Sequence, residues 1–319
     1  SKKIGHRKSW IILMQIIIFI SLLSWSFLDP SKNLWMVVAV GLGIAISSAT
    51  QDITIDALRI EQIGENEKDL LSAGAAISVV GWWTGYKIGG LVSLVSADIL
   101  QKQNIENYWQ ISFLILSLII ILCSIGLLFI PERNSEEKVK LQKQVDQKII
   151  KKIGSSNNFT KIFAWFYGTL INPLLSFFKK NTFKVAFAIL GFIFLFKIGE
   201  AFLGRMSLVF YKEIGFTKTD IALYSKGIGW LTTVIFTLLG GLFAVRMGLV
   251  KAMFVSGILM ASTNIMFSVL AWVGNSEVLF AFTVLIDDLA AAFATVAFVG
   301  FISALVDRNY TATQYALLA

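Results

Sequence analysis

Ser47-Ser48-Ala49-Thr50-Gln51-Asp52-Ile53-Thr54-Ile55-Asp56-Ala57-Leu58-Arg59-Ile60-Glu61 closes an apolar run that begins near Trp35. Gln51, Asp52, Asp56 and Arg59 stand where that run would otherwise continue. Asp52 and Asp56 are four apart and share a helix face, and Arg59 follows Asp56 by three and lies beside it. In water this is an ordinary polar helix end. In a bilayer, acids at that depth are costly and mark function or pairing.

The rest of the chain decides between those settings. Its hydrophobic residues make up 56% of the total, more than a soluble domain of this length can cover. Runs of about 18 or more apolar residues are expected to cross a membrane. Eight such spans are expected, near 10–28, 35–60, 72–96, 109–130, 183–203, 219–245, 249–271 and 276–304. The fold class is therefore an all-α polytopic membrane protein. A transmembrane β-barrel would show alternation over segments of only about ten residues.

The formal net charge of +8 does not point to nucleic acid, because the basic excess sits in short loops beside the spans. Lys2, Lys3, Arg7 and Lys8 precede the first span, whereas the next loop has only Lys32. This alternation places the first loop, the Lys-rich stretch 131–182, and Arg246, Lys251 and Arg308 in the cytoplasm. Arg205, Lys212 and Lys218 are the exception. Cys123 lies in an apolar run and His6 in a basic loop, so the single cysteine and single histidine build no zinc, haem or cysteine-nucleophile site. No Gly-rich phosphate loop followed by Lys-Ser/Thr points to ATP-driven transport. No cofactor and no metal are expected.

Several ionisable groups fall within expected spans. Lys87 stands near the middle of the third, roughly opposite a stripe of Gly81, Gly85 and Gly89 that is expected to pack a neighbouring helix closely. Lys197 and Glu200 are three apart on the fifth, and either neutralise each other or serve substrate or proton. Asp287 and Asp288 are near mid-depth in the eighth. Adjacent helical residues point about 100° apart, so both are not expected to face one cavity. Lys226, nearer a helix end, is expected to snorkel. Trp82, Trp83, Trp109 and Trp165 are expected at the interface or in packing. In the central loop, 136–152 is expected to be charged and solvated. Phe159, Ile162, Phe163, Phe166 and Leu170 recur at helical spacing before Asn172-Pro173. That pattern suggests an amphipathic helix along the inner membrane surface, with a disordered linker as the alternative.

Ser48 to Glu61 closely resembles the fourth-helix signature of the AmpG muropeptide permeases, which belong to the major facilitator superfamily. Gly85-Tyr86-Lys87-Ile88-Gly89 looks like the family's Gly-Tyr-Arg-Ile-Gly, with lysine for arginine. Phe196-Lys197-Ile198-Gly199-Glu200 looks like its Tyr-Lys-Leu-Gly-Asp, and Thr311 to Leu318 resembles the segment leading into its eleventh helix. Asp287-Asp288 stands where that family has Glu-Asn. Gly240 to Gly248, with Arg246, resembles the Gly-rich loop that major facilitator transporters repeat between the second and third helices of each half. The chain lacks an initiator Met and stops in helix-like sequence. With the resemblance, this leads to the expectation of helices three to ten of a twelve-helix protein. Residues 1–130 would belong to the N-terminal bundle, 131–182 to a cytoplasmic loop and 183–319 to the C-terminal bundle.

The resemblance implies import of anhydro-muropeptides (GlcNAc-anhydroMurNAc peptides) across the bacterial inner membrane by proton symport, for peptidoglycan recycling. It implies a transporter, not an enzyme, with a large anionic substrate bound near mid-membrane. Gln51, Lys87 and Lys197 are the candidate substrate partners, and Asp52, Glu200 and Asp287 the candidate proton carriers. Asp56, Arg59, Gly81, Gly85, Gly89 and Arg246 are candidate conformational or packing residues. A permease for another organic anion such as an acyl-CoA, a drug exporter, and a non-transporting membrane sensor on the same fold are the alternatives.

Overall fold

The computed structural model describes residues 5–29, 31–64, 67–132, 158–216 and 229–319, with positions 144, 147, 150 and 221 between them. Regular structure among the described residues is helical throughout. The helices are α1 (His6–Trp25), α2 (Leu34–Gln62), α3 (Lys68–Lys102), α4 (Tyr108–Leu128), α5 (Asn158–Phe166), α6 (Asn172–Asn181), α7 (Phe183–Ile214), α8 (Gly229–Met247), α9 (Leu249–Val273), α10 (Glu277–Leu305) and α11 (Thr311–Leu318), with a π-helical turn Tyr167–Ile171 between α5 and α6.

Eight long helices thus stand at the eight expected spans. Six of them (α1, α2, α4, α8, α9 and α10) are long and apolar enough to cross a membrane by themselves. Phe183–Gly199 of α7 makes a seventh when counted with the helical stretch Thr160–Asn181 before it. The third expected span is a single helix of 35 residues, but Trp82, Trp83, Tyr86, Lys87 and its glycines dilute its apolar character. The long helix ends are set by local chemistry. α7 stops at Gly215 in the left-handed conformation, φ 100°. There Gly215 N–H donates to Lys212 O and Phe216 N–H to Tyr211 O, each at 3.1 Å. This is a Schellman closure, which a residue with a Cβ would strain.

The Gly-rich stretch 240–248 is not a loop. Gly240 to Met247 finish α8, and Gly248 alone, at φ 79°, turns the chain into α9. The expected loop shrinks because the glycines serve helix packing. A Cβ on Gly241 would lie 2.4 Å from that of Ala76, and one on Gly300 2.6 Å from Leu249 and 3.7 Å from the Ser72 backbone. Small residues bring α3, α8 and α10 together in the way small-residue contacts operate in membranes. Around Gly81, Gly85 and Gly89, by contrast, no described atom lies within 4 Å of an added Cβ.

The chain divides into two compact units. The first contains residues 1–62, 88–173 and 308–316, the second 63–87, 174–307 and 317–319. In the first unit α1 packs on α2 and α4, around Ile11, Leu58 and Leu127. The ends of these helices close one another. The backbone N–H groups of Arg7 and Lys8 donate to the Glu132 carboxylate at 2.8 and 3.0 Å, which suits the positive end of a helix. Lys8 Nζ donates to Leu128 O at 3.3 Å, where α4 ends. Arg7 pairs with Glu61 at 2.9 Å, Gln62 Nε2 donates to Pro131 O at 2.7 Å, and Arg308 donates to Ile60 O.

In the second unit α10 lies between α8 and α9. Tyr211, Phe216, Phe267 and Phe280 form an aromatic cluster with Ile221, Leu270 and Val284. The Phe216 and Phe280 rings stack at 4.3 Å. On the other side of α10, Ala76 and Val79 of α3 meet Val296, with Trp83 beside them.

Gly241→Leu is expected to lower the thermal unfolding temperature in detergent strongly, because overpacking a tight helix contact costs about 1–3 kcal/mol or more. Gly85→Ala, whose added Cβ meets no described atom within 4 Å, is expected to leave it unchanged. Equal melting of the two variants would refute the close approach at Gly241.

Candidate functional site

The second unit holds a cavity of about 470 Å³, a volume in the range of small-molecule sites. α3 contributes Trp83, Tyr86 and Lys87, α7 Ser207 and Tyr211, α8 Thr233, α9 Asn264, and α10 both Asp287 and Asp288. The two acids therefore do share one cavity, contrary to the expectation from their 100° separation. The cavity reaches round α10 toward both flanking helices, so a wide sector of α10 faces it. Asp287 turns toward α9, where the Thr263 hydroxyl lies 3.2 Å away. Asp288 turns toward α8, where Thr232 lies at 3.3 Å.

Lys87 enters from α3. Its Nζ sits 5.0 Å from the centre of the Trp83 ring, one helical turn earlier, and donates to Thr233 Oγ1 at 3.4 Å. Thr233 is buried and donates its own hydrogen to Gly229 O. A hydroxyl so committed presents lone pairs, which suits an ammonium. Trp82 and Tyr86 stack with 7° between their planes at 5.7 Å. The site therefore combines an ammonium, two carboxylates, hydroxyls, an amide and aromatic faces.

Thr263 introduces a constraint on protons. Its oxygen is 2.9 Å from Met260 O and 3.2 Å from Asp287 Oδ1. A hydroxyl has one hydrogen. If Thr263 donates to its own helix, the second bond needs a proton on Asp287. If it donates to Asp287, the Met260 carbonyl loses that partner.

The other candidate residues fall elsewhere. Lys197 is not among the cavity-lining residues; its Nζ lies 4.8 Å from the Phe298 ring centre, against which Phe196 stacks at 5.3 Å. The side chain of Glu200 lies outside the described residues, as do Lys226, most of 136–152 and the side chain of Phe159. Arg246 is exposed in the last turn of α8, a favourable place for a cation.

Gln51, Asp52, Asp56 and Arg59 belong to the first unit. Asp52 is exposed and Asp56 buried. The Gln51 carbonyl oxygen is buried with no hydrogen-bond partner among the described residues. Arg59 grips Asp56 through Nη2 at 2.9 Å and Nε at 3.1 Å, with both side chains nearly enclosed. Tyr315, also buried, lies beside the same carboxylate. The signature stretch is thereby tied to α11.

Trp83, expected at the interface or in packing, lines the cavity instead, and Tyr86, Thr233, Thr263, Asn264 and Tyr211 are further residues there that the sequence had not assigned to a site. For Trp83 a signal existed: it precedes Lys87 by four and must share its face. The mid-helix threonines carried none, because threonine in a helix commonly bonds its own backbone.

The family model described as Major Facilitator Superfamily matches residues 1–319. The chain belongs to the major facilitator superfamily. It is a multi-pass membrane transporter of that family. It is 32% identical over 318 residues to a protein of Rickettsia felis named putative transporter AmpG 4, covering 99% of this chain and 69% of that protein. It is 28% identical over 316 residues to the anhydromuropeptide permease of Escherichia coli K12, covering 99% of this chain and 57% of that one. Among solved structures, the proton:xylose symporter XylE matches 98% of this chain and 69% of its own, with TM-score 0.60 and 15% identity. That likeness concerns the fold alone.

Asp56→Asn is expected to destabilise the protein by about 3–5 kcal/mol, because it leaves the Arg59 guanidinium without its buried counter-charge. Asp52→Asn, at an exposed position, is expected to change stability by no more than about 0.5 kcal/mol. Thermal unfolding of the two variants in detergent checks this, and an equal effect would remove the distinction.

Proposed function

We propose that this protein imports anhydro-muropeptides by proton symport across a bacterial inner membrane, in peptidoglycan recycling. The observation that carries the proposal is the meeting of Lys87, two aromatic rings and two carboxylates in one cavity. A muropeptide offers carboxylates, sugar rings and amides. Lys87 would take a carboxylate, Trp83 and Tyr86 would meet the apolar faces of sugar rings, and Asn264 would bond hydroxyls or amides. The Escherichia coli relative, by its name, handles this substrate class.

Gln51, in the first unit, remains a candidate substrate partner, because its buried carbonyl has no donor among the described residues. Lys197, resting on Phe298, is the weaker substrate partner. In this reading 131–182 is the cytoplasmic connection between an N-terminal and a C-terminal bundle, and substrate crosses as the bundles rock.

For the proton, Asp287 is favoured over Asp52 and Glu200. It lines the cavity and shares the single hydrogen of Thr263 with Met260. A proton arriving on Asp287 would let Thr263 donate to Met260 while Asp287 donates to Thr263, so loading requires no broken ion pair. Substrate bound at Lys87 and a proton at Asp287 would then affect one another within one cavity.

Uptake of labelled muropeptide into vesicles tests the substrate assignment. Lys87→Ala is expected to raise the apparent KM about tenfold or more, the effect of losing a charge-assisted bond, and Lys197→Ala to raise it less. Wild-type affinity in Lys87→Ala would remove the lysine from the site, and uptake of only a different anion would replace the substrate.

Asp287→Asn tests the proton assignment separately. Accumulation driven by a pH gradient is expected to be lost while substrate exchange without a gradient persists. Fully coupled accumulation in this variant would move the proton site to another acid.

A further inference from the structure

Residues 158–171 show a helix turned inside out relative to a soluble one. Thr160, Ala164 and Gly168, at four-residue spacing, are buried. The large side chains point the other way: Ile162 is 65% exposed, Trp165 58%, Phe166 45% and Phe163 44%. Lys161 is exposed beside them. The segment is held in this orientation within the first unit. Asn172 Nδ2 donates to the Tyr310 hydroxyl at 2.8 Å, and Gln314 Nε2 to Pro173 O at 2.9 Å. The small-residue face is thus fixed inward and the aromatic face outward.

A contiguous apolar face of this kind needs a cover. The charge of the surrounding sequence indicates which. From Lys138 to Lys184 the chain carries ten lysines against one acid, Asp146. Apolar aromatics with Lys161 beside them, in a lysine-rich stretch of sequence, match a membrane surface, where the rings enter the acyl boundary and the ammonium groups meet phosphate. A lysine excess of this size favours anionic over zwitterionic lipid.

We propose that Asn158–Ile171 is a docking surface for anionic phospholipid, with Ile162, Phe163, Trp165 and Phe166 in the acyl boundary and Lys161 at the headgroups. The docked helix reaches the signature stretch through described contacts. It leads to Asn172 and Pro173, which hold Tyr310 and Gln314, and the same segment carries Arg308 on Ile60 O and Tyr315 beside Asp56. Anionic lipid would thereby stabilise the joint between the linker, α2 and α11. The surface is independent of the transported solute.

The test uses the full chain with Cys123→Ser, carrying Phe163→Cys or, separately, Phe166→Cys, spin-labelled in vesicles without substrate. Leu118→Cys on α4 gives the reference for a lipid-facing label. Collisions with oxygen and with a water-soluble nickel chelate are compared in phosphatidylcholine vesicles and in vesicles containing phosphatidylglycerol. The expected result is a label rich in oxygen and poor in nickel collisions that shifts deeper when phosphatidylglycerol is added. Lys161→Gln is expected to reduce the shift without moving the Leu118 label. Nickel access equal to that of a water-exposed site would overturn the proposal. So would shielding from both reagents, which would mean a protein cover, and so would equal depth in the two lipids.

Discussion

A charge carried into hydrocarbon has to be met within a few ångströms by an opposite charge, a polar group or water. The described helices answer this demand in two ways. In the first unit, charges at the helix ends are matched by charges or backbone dipoles: Asp56 by Arg59, Glu61 by Arg7, the start of α1 by Glu132. In the second unit, Asp287 and Asp288 are met by the hydroxyls of Thr263 and Thr232, and Lys87 by the hydroxyl of Thr233 and the face of Trp83. Apart from the Asp56–Arg59 pair within α2, the first arrangement joins secondary elements. The second lines a cavity.

That difference bears on where transport chemistry can sit. An ion pair such as Asp56–Arg59 loses its attraction if the carboxylate takes a proton, and the cost of a stranded buried guanidinium opposes the change. A carboxylate held by a hydroxyl keeps a hydrogen bond in either state, since the hydroxyl both donates and accepts. The signature stretch from Ser47 to Glu61, the most recognisable part of the sequence, therefore suits a structural clasp around Asp56. On the less conspicuous α10, Asp287 has the hydroxyl partner that the proposed symport calls for.

Much of the fold was legible because apolar runs long enough to span a membrane have few other uses. Lys87 and Asp287 were legible for the converse reason, as charges standing inside such runs. The cavity was not. Which helices surround α10, and how widely they stand apart, decides that Asp287 and Asp288 share one space, and no one-dimensional angle contains that. The glycines mark the same boundary. Gly81, Gly85 and Gly89 have the spacing of a contact stripe but meet nothing among the described residues, whereas Gly241 and Gly300, which have no such pattern, press against Ala76 and Ser72. Spacing identifies a helix face that can be approached closely, and only the partner's position determines whether it is.

The packing at Gly241 and Gly300 also explains how Lys87 is aimed. α3 can lie against α8 and α10 only because both present hydrogen in place of a side chain opposite Ser72, Ala75 and Ala76. These contacts come about three to four helical turns before Lys87, and the intervening Val79 is locked against Val296. With the helix held at that depth, Trp83 and Lys87 follow on a fixed face, and the ammonium arrives beside Thr233. A bulkier residue at Gly241 would push the N-terminal half of α3 away from α8 and carry Lys87 with it. The cavity thus depends on a contact between residues outside its lining, which ties the stability of the second unit to the geometry of that cavity.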